Sequence, residues 1–313
     1  MTEHASRLVA PDAGFLGVEV ETDLARLTAD VAIIGIPYGV PYPHASTTAG
    51  CADAPAAIRA RSQRLARFRG HHDFDLDGPM LPRDSGHRIV DCGDVPGAPE
   101  DGAGNSARAS AAIGAVLERG AVPIVLGGDD SVPIPVLRAY EGLARPITVL
   151  QVDAHLDFRD EVGGVRDGYS SPMRRASEMS HVERIVQVGL RGVGSARPSD
   201  VADARSAGHL LVTARELRER GVRWLLGQLP AGASVFVSFD LDGLDPSVCS
   251  AVSAMAAGGL SYGEALELIM GIGPRLAGAA LTEYVPVLDD DDERSALVAT
   301  RMLIALLQGA TVR

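Results

Sequence analysis

Residues 121–131 read AVPIVLGGDDS, an unbroken apolar run that ends in a glycine pair and two adjacent carboxylates. A strand with water on one face alternates apolar and polar residues, whereas a run without alternation belongs to a strand covered on both faces. Aspartate is a poor strand residue and neighbouring acids repel. Propensity alone therefore places Asp129 and Asp130 in a solvated turn just past the strand. The other reading is that something cationic sits there.

Runs of the same kind recur outward from this stretch, at residues 31–36, 88–91, 147–152, 184–188, 209–212, 234–239 and 279–283, giving eight candidate strands with 121–126. Helical patterns fall between them at 54–68, 105–119, 133–140, 199–206, 214–226 and 261–272, with a last helix near 293–307. Alternating strand and helix predicts a three-layer α/β/α fold around a central, mostly parallel eight-stranded sheet, with helices on both faces. In such sheets ligands bind beyond the carboxyl ends of the strands. No internal repeat, low-complexity tract or dividing linker interrupts the 313 residues, so one domain spanning 1–313 is expected. Residues 70–86 read as a surface excursion. Residues 158–172, FRDEVGGVRDGYSSP, read as a long functional loop.

Composition excludes several classes of function. A formal net charge of −12 argues against nucleic-acid binding, which needs a basic surface. Cys51, Cys92 and Cys249 stand far apart with no paired spacing, fitting neither a disulfide framework nor a zinc finger. No basic-then-apolar leader opens the sequence, and no stretch of 18 apolar residues occurs. A cytoplasmic protein with no membrane partner is the expectation.

Three of the strands end in the same chemistry. Residues 121–126 lead into Asp129 and Asp130, 147–152 into Asp153, His155 and Asp157, and 234–239 into Asp240, Asp242 and Asp245. If the chain stays extended, the i, i+2, i+4 spacing throws Asp153, His155 and Asp157 to one side, and Asp240 and Asp242 likewise. Any one cluster alone reads equally well as a helix cap or polar turn. Converging at one sheet end, however, five carboxylates would repel by several kcal/mol unless cations neutralise them. Oxygen-rich ligation with one imidazole suits Mn²⁺ and, less selectively, Ni²⁺ or Zn²⁺. So many ligands exceed the needs of one ion; two would use them all, and such a pair makes a hydroxide nucleophile from water near neutral pH. The residues thus describe a binuclear metal hydrolase.

GGDDS, DAHLD and SFDLDGLDP, in this order and spacing, resemble the three signatures of the ureohydrolases, the arginase and agmatinase family, whose usual forms are GGDHS, DAHxD and SxDxDxxDP. GIPYG, APAAIRARS, VGLRG and LTEYVPVLD also fall where the family has counterparts, so the resemblance covers nearly the whole chain. It implies that Asp153 and Asp240 bridge two metals, that Asp157 and Asp130 serve the first, and that His155 and Asp242 serve the second. It further implies that Glu283 holds the substrate guanidinium, a task suited to a carboxylate accepting two parallel N–H bonds. The implied reaction hydrolyses a guanidino compound to urea and an amine, in a homo-oligomer of three or six chains.

The chain departs from the family pattern at three places. Asp130 stands where the family has a histidine ligand; its extra charge lowers the Lewis acidity of the site and raises the pKa of its water. The loop histidine that shuttles protons is also missing. Counting from Asp157 puts Asp167 in its place, and counting back from Arg174 and Arg175 puts Tyr169 there. Substrate-contacting stretches differ as well: residues 250–253 read SAVS, and Glu283 is followed by Tyr-Val-Pro. Arg159 and Ser170 are candidate substrate contacts in the loop. These departures motivate two rivals, a silent metal-binding paralogue within a mixed oligomer and a formimino or amidine hydrolase of the same fold. His71, His72, Asp73 and Asp75 read as a solvated loop, His44 as a core or surface residue, and the acids at 289–293 as a helix cap.

Overall fold

The computed structural model describes residues 7–42, 48–81, 86–143 and 145–311. His44 lies outside the described residues. The strands are β1 (Glu19–Val20), β2 (Val31–Ile36), β3 (His72–Asp73), β4 (Gly78–Pro79), β5 (Ile89–Asp94), β6 (Val122–Gly127), β7 (Ile147–Val152), β8 (Val182–Leu190), β9 (Leu210–Thr213), β10 (Ser234–Asp240) and β11 (Leu276–Thr282). The helices are α1 (Ala54–Ala66), α2 (Gly102–Glu118), α3 (Pro133–Arg138), α4 (Pro172–Ser177), α5 (Pro198–Ser206), α6 (Ala214–Arg220), α7 (Val222–Leu226), α8 (Tyr262–Ile272) and α9 (Arg294–Thr311).

Among the described residues, nine strands form one sheet in the order β1-β5-β2-β6-β11-β10-β7-β8-β9, and every pairing within it is parallel. The eight anticipated strands are all present. The ninth, β1, adds two exposed residues beside β5, too short to leave an apolar pattern.

Continuous apolar strands follow from the two-residue side-chain period acting on a sheet covered twice. Ile33, Ile124, Leu126, Leu150, Val152, Val237 and Leu281 point into one core, with Ile58 of α1, Leu217 of α6, Leu225 of α7, Leu268 of α8 and Leu303 of α9. Their neighbours in sequence, Ile34, Val125, Val149, Phe236 and Ala280, point into the other core with Ile113 of α2, Leu137 of α3, Met173 of α4 and Ala204 of α5. This is the three-layer arrangement.

Three local outcomes differ from the sequence reading. The helix anticipated over 214–226 is broken into α6 and α7 at Gly221, whose φ of 83° is open to glycine but rare for other residues. The loop at 158–172 ends in the short helix α4, seeded by Pro172 at its start and by Asp157, whose carbonyl accepts from Met173 N at 3.1 Å. Residues 70–86 contain the β3–β4 hairpin, and Asp73 and Asp75 are not simply solvated: both pair with Arg301 of α9. The acids before α9 do cap it, Asp289 accepting from Ser295 N and Ala296 N at 3.0 and 2.9 Å.

Candidate metal centre and active site

The four strands whose ends carry acids, β6, β11, β10 and β7, are consecutive in the sheet. Register sets their heights. Leu126 pairs with Leu281, Thr282 with Asp240, and Phe239 with Val152, so Gly127, Thr282, Asp240 and Asp153 all leave the sheet at one level. A Cβ on Gly128 would stand 2.3 Å from the Pro37 carbonyl oxygen, and one on Gly127 2.8 Å from that of Leu281. The glycine pair is therefore what lets β6 close tightly on β2 and β11 before the acids begin.

Beyond that level the chain turns sharply. Asp157 and Glu283 adopt φ of 47° and 65°, the left-handed region that costs a non-glycine residue about 1–3 kcal/mol. Glu283 is fixed in it by two bonds to the GGDDS turn: its N–H donates to Gly128 O at 3.0 Å, and its Oε1 accepts from Asp130 N at 2.9 Å. The adjacent acids diverge. Asp129 folds back to accept from Ser131 N at 2.9 Å, while Asp130 joins the crevice.

Two groups of three ligands converge there, each with its ligand atoms within 4.8 Å of one another: Asp130, Asp153 and Asp157, and Asp153, His155 and Asp242. Asp153 belongs to both. Asp240, expected to bridge, lines the same cavity and accepts from Asp242 N at 2.7 Å but belongs to neither ligand group. His155 Nδ1 lies 2.9 Å from Asp242 Oδ2. Asp130 Oδ1 accepts from the Thr282 hydroxyl at 2.7 Å; its Oδ2 is buried with no partner.

Such a cluster is unstable as free anions. Burial, and then the charge of Asp157, push Asp130 and Asp153 well above the usual carboxylate range; burial and then Asp242 do the same to Asp240. Burial, reinforced by Asp129, raises Glu283 to about 7. Burial works against a charged His155, but its bond to Asp242 outweighs this and raises its pKa. Divalent ions would replace the protons that these groups otherwise retain. The unpartnered Asp130 oxygen, the all-oxygen and imidazole donors and the shared Asp153 fit such ions, so these residues can hold metal.

A chain of amides supports the carboxylates from below. Gln151 Nε2 donates to Asp153 Oδ2 at 2.7 Å and Asp157 Oδ2 at 3.1 Å; its Oε1 accepts from Gln187 at 2.6 Å. Gln187 Oε1 meets His209 Nδ1 at 3.1 Å, and burial lowers the His209 pKa to about 4, keeping it neutral. The sequence reading passed over these residues. The signal available was a glutamine flanked by apolar residues in the buried part of each of two strands, since an unpaired buried amide costs about 1–3 kcal/mol.

The cavity above the carboxylates encloses about 390 Å³. Tyr169, Ser170 and Glu283 line it with Asp130, His155, Asp157, Asp240 and Asp242, while residues 193–195 and 253–256 complete the wall. Ser253, the last residue of the divergent SAVS stretch, donates its hydroxyl to Glu283 Oε2. Tyr169 packs on Tyr42 with ring centres 4.5 Å apart, and the Tyr42 hydroxyl accepts from Ser170 N at 3.1 Å. Two anticipated residues lie elsewhere. Asp167 pairs with Arg138 at 2.7 Å and lines a separate cavity beside α2, so the loop's path sends Tyr169, not Asp167, to the crevice. Arg159 is held by Asp200 of α5 at 3.1 Å and does not line the cavity. Neither His71 nor His72 joins a ligand group among the described residues.

The profile described as "Arginase family" matches residues 29–308. The chain is 29% identical over 298 residues to the mitochondrial agmatinase of Gallus gallus, covering 93% of this chain and 84% of that protein. Proclavaminate amidino hydrolase from Streptomyces clavuligerus superposes with a TM-score of 0.82 at 27% identity, over 97% of this chain and 99% of the other. Formiminoglutamase of Trypanosoma cruzi with Mn²⁺ superposes at 0.78 and 26% identity, over 96% and 99%. The chain belongs to the arginase family, hydrolases acting on guanidino and amidino carbon–nitrogen bonds.

Proposed function

We propose that this protein is a binuclear metal-dependent amidinohydrolase, agmatinase-like in releasing urea, whose guanidino substrate carries an amine or apolar tail rather than a carboxylate. The observation that carries the binuclear part is Asp153, which belongs to both ligand groups. In this reading Asp130 and Asp157 would complete one position and His155 and Asp242 the other, with Asp240 beside them on the cavity wall. Mn²⁺ is the first expectation, with Ni²⁺ as the alternative, on the hardness of the donors and the Mn²⁺ in the T. cruzi relative. When bound, such a pair supplies the nucleophile by lowering the pKa of water.

The protein's own groups do the rest. Glu283 receives the planar cation; its two oxygens, each already oriented by a donor from Asp130 N or Ser253, keep a lone pair free for parallel guanidinium N–H bonds. Tyr169 stays protonated, because burial and then the neighbouring Tyr42 raise its pKa, and its phenol faces the cavity where the leaving amine must gain a proton. Tail preference rests on charge. Among the described residues no arginine lines the cavity, and its mouth is formed by Val193, Met255, Ala254 and Ala256. A carboxylate tail would find no counter-ion there and would face a wall of acids.

The test is a substrate panel with Mn²⁺-loaded protein and urea as the readout. Alkylguanidines with amine or apolar tails are expected to exceed guanidino acids in kcat/KM by at least about tenfold, the worth of roughly 1.4 kcal/mol. Preference for guanidino acids would contradict the tail assignment. Ammonia from formimino compounds, without urea from any guanidine, would replace the reading with amidine hydrolysis.

A further inference from the structure

We propose that the protein carries a second small-molecule site at the opposite end of the sheet from the acids, for an amphipathic monoanion: a carboxylate head on an alkyl or aryl body. The site stands independently of the metal reading.

Its cavity lies where the four central strands begin. Val122 of β6, Ile147 of β7, Ser234 of β10 and Leu276 of β11 line a space of about 560 Å³, within the roughly 300–1,000 Å³ of small-molecule sites. These strands run six or seven residues, which puts roughly 20 Å between this cavity and the acids. None of its lining residues is shared with the crevice.

The floor is apolar and fixed. Tyr140 fills a slot that only glycine leaves open, since a Cβ on Gly278 would collide with the phenol hydroxyl. That hydroxyl donates to Ala277 O at 2.9 Å, and the ring meets Phe236 edge-on. At the rim Leu143 is 43% exposed, apolar surface that a bound hydrocarbon would cover.

Charge identifies the head group. The chain carries 41 acids against 29 lysines and arginines. Yet among the described residues the charged side chains lining this cavity are Arg145 and Arg275, with no acid. Arg275 is anchored by the end of α8: its Nη2 donates to Gly271 O at 3.2 Å and its Nε to Ile272 O at 3.5 Å, which leaves Nη1 for a ligand. Arg145 makes no hydrogen bond or ion pair among the described residues. Guanidinium groups pair strongly with carboxylates. Helices α2 and α8 end beside the cavity, and their negative carboxyl-terminal ends favour a single charge over a dianion such as phosphate.

Isothermal titration calorimetry of the metal-loaded protein with octanoate, octylammonium and octyl phosphate tests this. Octanoate is expected to saturate at one per chain and to bind at least about tenfold more tightly than either other probe. Crystals soaked in octanoate are expected to show it against Arg145 and Arg275. Arg145→Gln, a change at an exposed position, is expected to weaken octanoate at least about threefold, and the same change combined with Arg275→Gln at least about tenfold, with circular dichroism unchanged. No saturable binding, octylammonium or octyl phosphate bound as tightly as octanoate, an affinity indifferent to both arginines, or octanoate found only in the crevice would each overturn the proposal.

Discussion

At the scale of single residues, Asp129 and Asp130 show how little adjacency says about role. Asp129 is consumed by its own turn; Asp130 gives one oxygen to Thr282 and keeps the other unpartnered toward the cluster. Asp130→Ala should therefore lower metal occupancy at its own seat more than at the His155 seat, as measured by metal analysis and anomalous scattering; equal loss at both would refute the assignment. Glu283→Gln keeps the size of the side chain and an acceptor for Asp130 N but removes the charge that faces the guanidinium. Losing one partner of a buried charge pair costs about 2–5 kcal/mol, so kcat/KM should fall at least about thirtyfold with the fold intact by circular dichroism. The acids and the imidazole were legible because each sits at a fixed offset from the end of an apolar run. Choosing between Asp167 and Tyr169 was not, because that depends on Asp167 reaching Arg138, 29 positions away, a pairing no local pattern encodes.

At the scale of elements, the decisive fact is that β6, β11, β10 and β7 are neighbours although the chain makes them far apart in order. Each strand and its type could be read from its apolar run, and so could most helices from their period. Strand order could not, since it is fixed by which faces pack across the two cores. The broken α6–α7 helix turned on a single glycine, and α4 was too short to show a period. Close packing at the strand ends makes a specific prediction. Gly128→Ala drives a Cβ to 2.3 Å from a backbone oxygen, a contact that only backbone movement relieves, at a cost of about 1–3 kcal/mol or more. Gly114→Ala, in the middle of α2 with open space around it, should instead stabilise by about 0.5–1 kcal/mol. Chemical denaturation of the two variants measures both; a fall for both, or for neither, would contradict the packing described.

For the molecule as a whole, the buried acids couple stability to pH and to metal. Asp130, Asp153, Asp240 and Glu283 all have pKa values raised by burial, Glu283 to about 7, whereas in the unfolded chain carboxyls titrate near about 4. Without ions the folded protein thus binds more protons than the unfolded chain across that interval. Their contribution is fully present below about pH 4 and is lost as pH rises through the folded values, past about 7 for Glu283. Chelated protein should accordingly show a Tm that falls between pH 5 and 8, while metal-loaded protein does not follow it. Parallel curves in calorimetry would mean that the acids do not share one buried site. Among the described residues no helix is long and apolar enough to cross a membrane.

The central claim is that one carboxylate, Asp153, joins two ions, and electron paramagnetic resonance of protein loaded with Mn²⁺ alone tests it most directly. Two Mn²⁺ per chain with the spectrum of an exchange-coupled pair, lost in Asp153→Asn, is the predicted result; a single Mn²⁺ per chain, or two with uncoupled spectra, would contradict it.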